Sequence, residues 1–191
     1  MKQLYLDIIT QILNNLDVSK QWACAWVQKG QVYPDIAIDS TEFDEKLQRY
    51  YNAERINYVE TEQNKSFYAP DADTIVLPLK RQFKSASGYF AVKAHETIHS
   101  TGDYIRCDRE GFDEYKSVKF GDSTYSKEEL TAELGACFLL AEMGIDTTQA
   151  IENASVYVSH WISKLNNNPK WVFKTAELAI EAVEYILEAI E

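Results

Sequence analysis

The chain has 191 residues, 46% of them hydrophobic and 26% charged, with a formal net charge of −11. That length suffices for one buried core, with or without an appendage, and the acidic balance argues against broad nucleic-acid binding, which needs clustered Lys and Arg to displace counterions. The three cysteines, Cys24, Cys107 and Cys137, lie too far apart for a disulfide framework or a C-x-x-C zinc site and point to a reducing compartment.

Leu4, Ile8, Ile12 and Leu16, widened by Ile9 and Leu13, recur at helical spacing and predict an amphipathic helix over 3–16. Asp7 interrupts its apolar pattern and no small-residue cleavage site follows, which argues against a signal peptide. No stretch reaches the roughly 20 apolar residues of a membrane span, so a cytoplasmic protein without a membrane partner is expected. Residues 17–40 hold Trp22, Trp26, Gly30 and Pro34 without a clear period and read as an irregular connection. A second helix is predicted behind Thr41, where "STEFDEKLQRYYN" sets acidic residues first and basic ones last, as the helix dipole favours. Three β-rich runs follow, "INYVE" (56–60), "SFYAP" (66–70) and "TIVLP" (74–78), predicting a small antiparallel or mixed sheet. The basic run "KRQFK", Lys80–Lys84, reads as solvated surface. Beyond it, helices are predicted over Tyr89–Thr101 and Ser126–Met143, the latter striped by Leu130, Leu134, Cys137 and Ala141 and stopped by Gly144. A charged loop separates them over 103–125, and helices over Thr148–Leu165 and Trp171–Ile190 flank the break "NNNP". The sum is an α+β fold, mostly helical with a small sheet.

The chemistry concentrates in "KAHETIHSTGD", Lys93–Asp103. His95 and His99, four residues apart on a helix, lie one turn apart on one face, so both imidazoles can reach a single tetrahedral ion. Glu96 points about a quarter-turn away, where it can act as general base on a water rather than as a ligand. A catalytic zinc site needs a third protein ligand and an open position, and "EELTAE", Glu128–Glu133, offers it. Glu129 and Glu133 share a helix face, so that one can bind metal while the other anchors a ligating histidine. Glu128 lies about 100° from Glu129 and about 140° from Glu133, and should project off that face.

Four blocks in order, "FYAPDADTIVLP", "YFAVKAHETIHSTGD", "YSKEELTAELGACFLLAEMGI" and "ENASVYVSHWISKLNNNPKWVFKTAELAIEAVEYIL", resemble the zincin-type metallopeptidase domain of the ArdC-like antirestriction proteins of plasmids, conjugative elements and phages. The resemblance covers residues 45–190 and implies a zincin-like domain over 45–191, preceded by an N-terminal helix and connecting segment over 1–44. It implies Zn2+ as cofactor, His95 and His99 as ligands, and Glu96 as the catalytic residue that activates a zinc-bound water for peptide hydrolysis. The spacing usual in gluzincins then assigns Glu129 as the third ligand and Glu133 as the carboxylate behind a ligating histidine. The implied substrate is a protein or peptide, with a host defence protein as the candidate. Asp103 departs from the histidine common at that position in the family, while Arg106 and Arg109 keep the two arginines that usually follow. Full-length relatives also carry an N-terminal domain that binds single-stranded DNA. Residues 1–26 resemble only its start, so weak or no nucleic-acid binding is expected, and Trp22 and Trp26 read as core rather than as base-stacking platforms. The contrasting reading is a non-catalytic binding protein whose acidic surface mimics DNA on a zincin scaffold.

Overall fold

The computed structural model describes residues 2–16, 41–112, 123–162 and 170–191. The expectations for the connection over 17–40, including Trp22 and Trp26, and for part of the loop over 103–125, fall outside the described residues. Among the described residues, six helices and a three-stranded sheet share one hydrophobic core. The helices are α1 (Gln3–Asn14), α2 (Thr41–Glu54), α3 (Ala86–Ser100), α4 (Ser123–Glu142), α5 (Thr148–Ile162) and α6 (Lys170–Ile190), and the strands are β1 (Asn57–Thr61), β2 (Phe67–Ala69) and β3 (Thr74–Pro78). No helix among these residues is long and apolar enough to cross a membrane.

Each helix buries the stripe its sequence supplies. In α1, Tyr5, Ile8, Ile9 and Ile12 face inward against α4 and α5. Tyr5 stacks on Phe138 with ring centroids 4.5 Å apart, and its hydroxyl donates to Glu142 at 2.7 Å. In α2, Phe43, Leu47, Tyr50 and Tyr51 form the buried face, and Arg55, at φ 59°, turns the chain out of the helix. The α4 helix ends where predicted: Gly144 has φ 71°, and the amide of Ile145 reaches back to the carbonyl of Leu140 at 2.9 Å, a closure that glycine permits without a Cβ penalty.

The sheet has the order β1-β3-β2 and is mixed. A tight turn at Pro70–Asp73, with Asp73 in the left-handed region at φ 43°, folds β2 and β3 into an antiparallel pair. β1 takes the other edge of β3 and runs parallel to it. Alternation along each strand decides which face is buried, not which neighbour it pairs with, so the parallel pair could not be read from the runs themselves. Tyr58, Ile75 and Tyr68 align across the core face, while Val59, Val76 and Phe67 align across the outer one. Beyond β3, "KRQFK" begins with a short 3-10 turn in which Lys80 pairs with Asp44 and Arg81 approaches Glu62 at 3.8 Å. Carboxylates thus offset the charge of the run's first two basic residues.

The α3 helix is the central element, capped by Ser85, whose hydroxyl accepts the amide of Gly88 at 3.0 Å. From Gly88 to Ser100 only His95 retains appreciable exposure. On one side α3 carries the sheet and α2, to which buried Lys93 bonds through Asp44 at 2.6 Å. On the other side it crosses α4 at Gly135, where a Cβ would stand 2.9 Å from three carbons of Ile98.

That crossing can be tested. Gly135→Val should lower the unfolding free energy by about 1–3 kcal/mol, the usual cost of overpacking, and adding Ile98→Val should recover part of the loss because the two sites touch. Urea midpoints of the two variants check this; strict additivity would place the strain elsewhere.

Candidate metal centre

The close α3–α4 crossing brings the two sequence motifs face to face. His95 and His99 leave the same face of α3 with their Nε2 atoms 3.0 Å apart. From α4, Glu129 places Oε2 3.7 Å from His95 Nε2 and Oε1 3.7 Å from His99 Nε2. These three side chains each offer a donor atom, and the donors all lie within 4.8 Å of one another. Two imidazole nitrogens held by one tetrahedral ion at about 2.0–2.1 Å stand a little over 3 Å apart, so the spacing suits a shared cation. His95 and Glu129 are 15% and 13% exposed, against 3% for His99, so the triad opens to solvent on one side.

The other named residues surround this triad. Glu96 is buried at 5% exposure, and Ser66 and the backbone of Tyr68 in β2 favour its charged form against the cost of burial. Glu133 lies one turn beyond Glu129 with Oε1 3.6 Å from His95 Nδ1, beyond hydrogen-bond range. Glu128 does leave the face shared by Glu129 and Glu133, yet it is buried against the same cluster: its Oε1 accepts from His99 Nδ1 at 2.9 Å. Tyr125, one turn before Glu129, donates its hydroxyl to that carboxylate.

The turn that follows α3 supplies the rest. Asp103 is buried, and its side chain accepts the amide of Ile105 at 3.2 Å while its carbonyl accepts those of Arg106 and Asp108. It thus organises the turn instead of lining the triad. Arg106 reaches away from the triad, to Asp73 at 2.6 Å, Glu54 at 3.2 Å and the carbonyl of Ser100 at 2.9 Å. Arg109 turns inward and forks onto Glu128, with Nε to Oε2 at 2.9 Å and Nη2 to Oε1 at 2.7 Å, and also donates to Thr101 and to the carbonyl of Ile98. Gly102 makes room for this: a Cβ there would collide with the Phe112 ring and lie 2.8 Å from Arg109 Nη2. Sequence reasoning missed the roles of Glu128, Arg109 and Tyr125. The only signal was the "RCDR" pair, which names the arginines without their partners.

The electrostatics follow from setting three buried carboxylates and the partly exposed Glu129 beside two imidazoles and a guanidinium. Burial raises Glu96 to about 7, and burial with the charge of Glu129 raises Glu133 to about 8. Burial alone would raise Glu128 too, but the Arg109 charge and the bonds from His99 and Arg109 bring it down to about 2. Burial works against a charged His99, and the bond to Glu128 with the charges of Glu129, Glu128 and Glu96 overcomes it, lifting the ring to about 9. His95 falls well below its ordinary value through burial and the neighbouring His99. The cluster therefore favours added positive charge, and its donor set of two imidazoles and a carboxylate suits a divalent cation with an open coordination position.

Residues 45–178 match the zincin-like metallopeptidase family. The chain belongs to that family. The chain is 37% identical over 126 residues to the DNA primase TraC of Escherichia coli, covering 66% of this chain and 11% of TraC. It is 27% identical over 123 residues to the protein y4eC of Sinorhizobium fredii, covering 64% of this chain and 38% of that one. Among solved structures, the Mn(II)-bound antirestriction protein ArdC from plasmid R388 superposes with a TM-score of 0.59 at 30% identity, over 83% of this chain and 56% of ArdC. Its metal-free form gives 0.58 at 32%, over 77% and 51%. The chain thus spans about half of ArdC and about a tenth of TraC.

The charge pattern predicts a pH response of the metal-free protein. An unfolded chain has released the carboxyl proton above pH 4.5 and the imidazole proton above 6.5, whereas the folded chain keeps them on Glu133 and His99 until about 8 and about 9. The folded state binds more protons, so stability falls as pH rises from 6.5 to 8. Urea midpoints of chelator-treated protein should drop across that window, and drop less in Glu133→Gln. An equal drop in both would assign the effect to other groups.

Proposed function

We propose that this domain is a zinc-dependent metallopeptidase of the ArdC-like antirestriction type, acting in the cytoplasm on a protein or peptide, with a host defence protein as the candidate substrate. His95, His99 and Glu129 hold Zn2+, and Glu96 is the general base. The observation that carries the reading is the convergence of those three donors within 4.8 Å, with Glu96 buried beside them on the same helix. Two imidazoles and one carboxylate with an open fourth position are the donor set of catalytic zinc, and the Mn(II) in the ArdC structure supports a divalent cation. When bound, the ion supplies a Lewis acid that polarises the scissile carbonyl and makes water acidic enough to attack at neutral pH. The protein's part is to move the proton: a Glu96 oxygen accepts it from the attacking water and passes it to the leaving amine. β2 has its outer edge unpaired among the described residues, and an extended peptide can add there as a further strand, which would bring its backbone past Glu96.

A second reading draws support from the net charge of −11: an acidic binding protein that occupies a DNA-binding partner without hydrolysis. Little or no affinity for nucleic acid is part of both, since the "KRQFK" run has its first two basic residues set against Asp44 and Glu62.

Metal analysis and proteolysis of a denatured protein such as casein separate the two readings. The expected result is about one zinc per chain, lost almost completely in His95→Ala and in Glu129→Ala. Glu96→Gln should retain zinc but cut hydrolysis by at least about 100-fold, the general-base contribution. Full activity in Glu96→Gln would remove the assigned base; stoichiometric zinc without hydrolysis in the wild type would favour the binding protein.

A further inference from the structure

His99 and His95 have the same role in the proposed reading but not the same support. Behind His99, Nδ1 meets Glu128 at 2.9 Å, and Glu128 is gripped through both oxygens by Arg109, at 2.9 and 2.7 Å. Arg109 is in turn fixed by Thr101 and the carbonyl of Ile98, both from the C-terminal end of the helix that carries His99. All three side chains are less than 10% exposed. Behind His95, the nearest carboxylate atom, on Glu133, stands 3.6 Å from Nδ1. We infer that Arg109 and Glu128 are positioning residues for the metal centre: they fix the orientation and tautomer of His99, and the metal affinity of the site depends on them more than on Glu133.

The chemistry is directional. A carboxylate that accepts a hydrogen bond from Nδ1–H holds the imidazole hydrogen there and leaves the lone pair of the neutral ring on Nε2, the atom that faces His95 and Glu129. Arg109 keeps Glu128 aligned, because a two-pronged guanidinium contact fixes the plane of the carboxylate. Without Arg109, Glu128 can rotate out of line, and that releases the ring. The pair also forms part of the wall of a cleft of about 190 Å³, lined besides by Lys127, Thr131, Trp171 and Lys174. A small cation can therefore approach the position of the guanidinium from solvent.

This inference rests on the metal-site reading above, and the test separates the two. Zn2+ affinity is measured by competition with a chromophoric chelator for the wild type and for His95→Ala, Glu128→Gln, Glu133→Gln, Arg109→Lys and Arg109→Ala. The expected loss is about 10–100-fold for Glu128→Gln and smaller for Glu133→Gln. Arg109→Ala should weaken binding comparably to Glu128→Gln, Arg109→Lys less, and methylguanidinium at sub-denaturing concentration should restore affinity to Arg109→Ala but not to Glu128→Gln. In metal-free wild type above about pH 9, where the ring has given up its second proton, nitrogen NMR of His99 should show the remaining proton on Nδ1, shifting toward a mixture of tautomers in Glu128→Gln. If His95→Ala keeps wild-type affinity, the metal-site reading fails. If His95→Ala loses zinc while Glu128→Gln binds like the wild type, or Glu133→Gln is the more damaging, only the positioning role is overturned. Should Arg109→Ala fail to fold, Arg109→Lys and Glu128→Gln still decide the matter by the same measurements.

Discussion

Two helices can share a cluster of metal-binding side chains only if their backbones come close enough for those side chains to meet, and here that closeness depends on a position without a Cβ. Gly135 on α4 lies against Ile98 on α3, with no space for even one more carbon. Ile98 sits inside the His95–His99 turn, so the point of closest approach adjoins the histidines themselves. From it, α4 runs back toward Glu133, Glu129 and Glu128, which line up along the imidazoles in that order. A wider crossing would leave the carboxylates and the rings separately solvated, and the perturbed acidities described above would disappear with the contact.

Charge is the second constraint, and it acts in the opposite sense. Packing alone would favour apolar residues at such a crossing, yet Glu96, Glu128 and Glu133 are all less than 10% exposed. Uncompensated buried carboxylates cost several kcal/mol each, and the chain offers Arg109 for one of them and protons or a cation for the others. The turn after α3 is built around this need. Gly102 clears the space, Asp103 shapes the backbone, and Arg106 and Arg109 leave the turn in opposite directions, one tying it to α2 and the β2–β3 turn and the other reaching under His99. A residue that departs from the family's habit, Asp103, thus has a local task in the turn.

Much of this was legible in the sequence. The helical stripes of α1, α2, α4 and α6 lie within a few residues of where apolar spacing put them, and the H-E-x-x-H spacing with the "EELTAE" face places His95, His99, Glu129 and Glu133 in one cluster. The exceptions have physical causes. Strand direction was open because alternation carries no information about pairing partners. The role of Glu128 cannot be read from its angle on its own helix, because its partner comes from α3. An imidazole has nitrogens on two sides, so a histidine aiming Nε2 at one α4 residue presents Nδ1 to its neighbour. Arg109 was invisible as a partner because its reach to Glu128 depends on a turn whose shape rests on backbone hydrogen bonds to Asp103 and on the absence of a side chain at Gly102.

The stretch that matches the family, residues 45–178, is shorter than the body that folds around it. Tyr5, Ile8, Ile9 and Ile12 of α1 and Ala179, Ala182, Val183 and Ile186 of α6 all lie outside the match, yet they belong to the same continuous core, and Tyr5 covers Phe138 on the helix that carries the glutamates. The inherited module and the cooperative unit therefore have different borders. A protein that embeds this module in a longer chain has to cover the back of α4 with apolar surface of its own. A graft of the matched stretch alone into a foreign host would carry the two histidines and the glutamates but leave an apolar flank of their supporting helix in water.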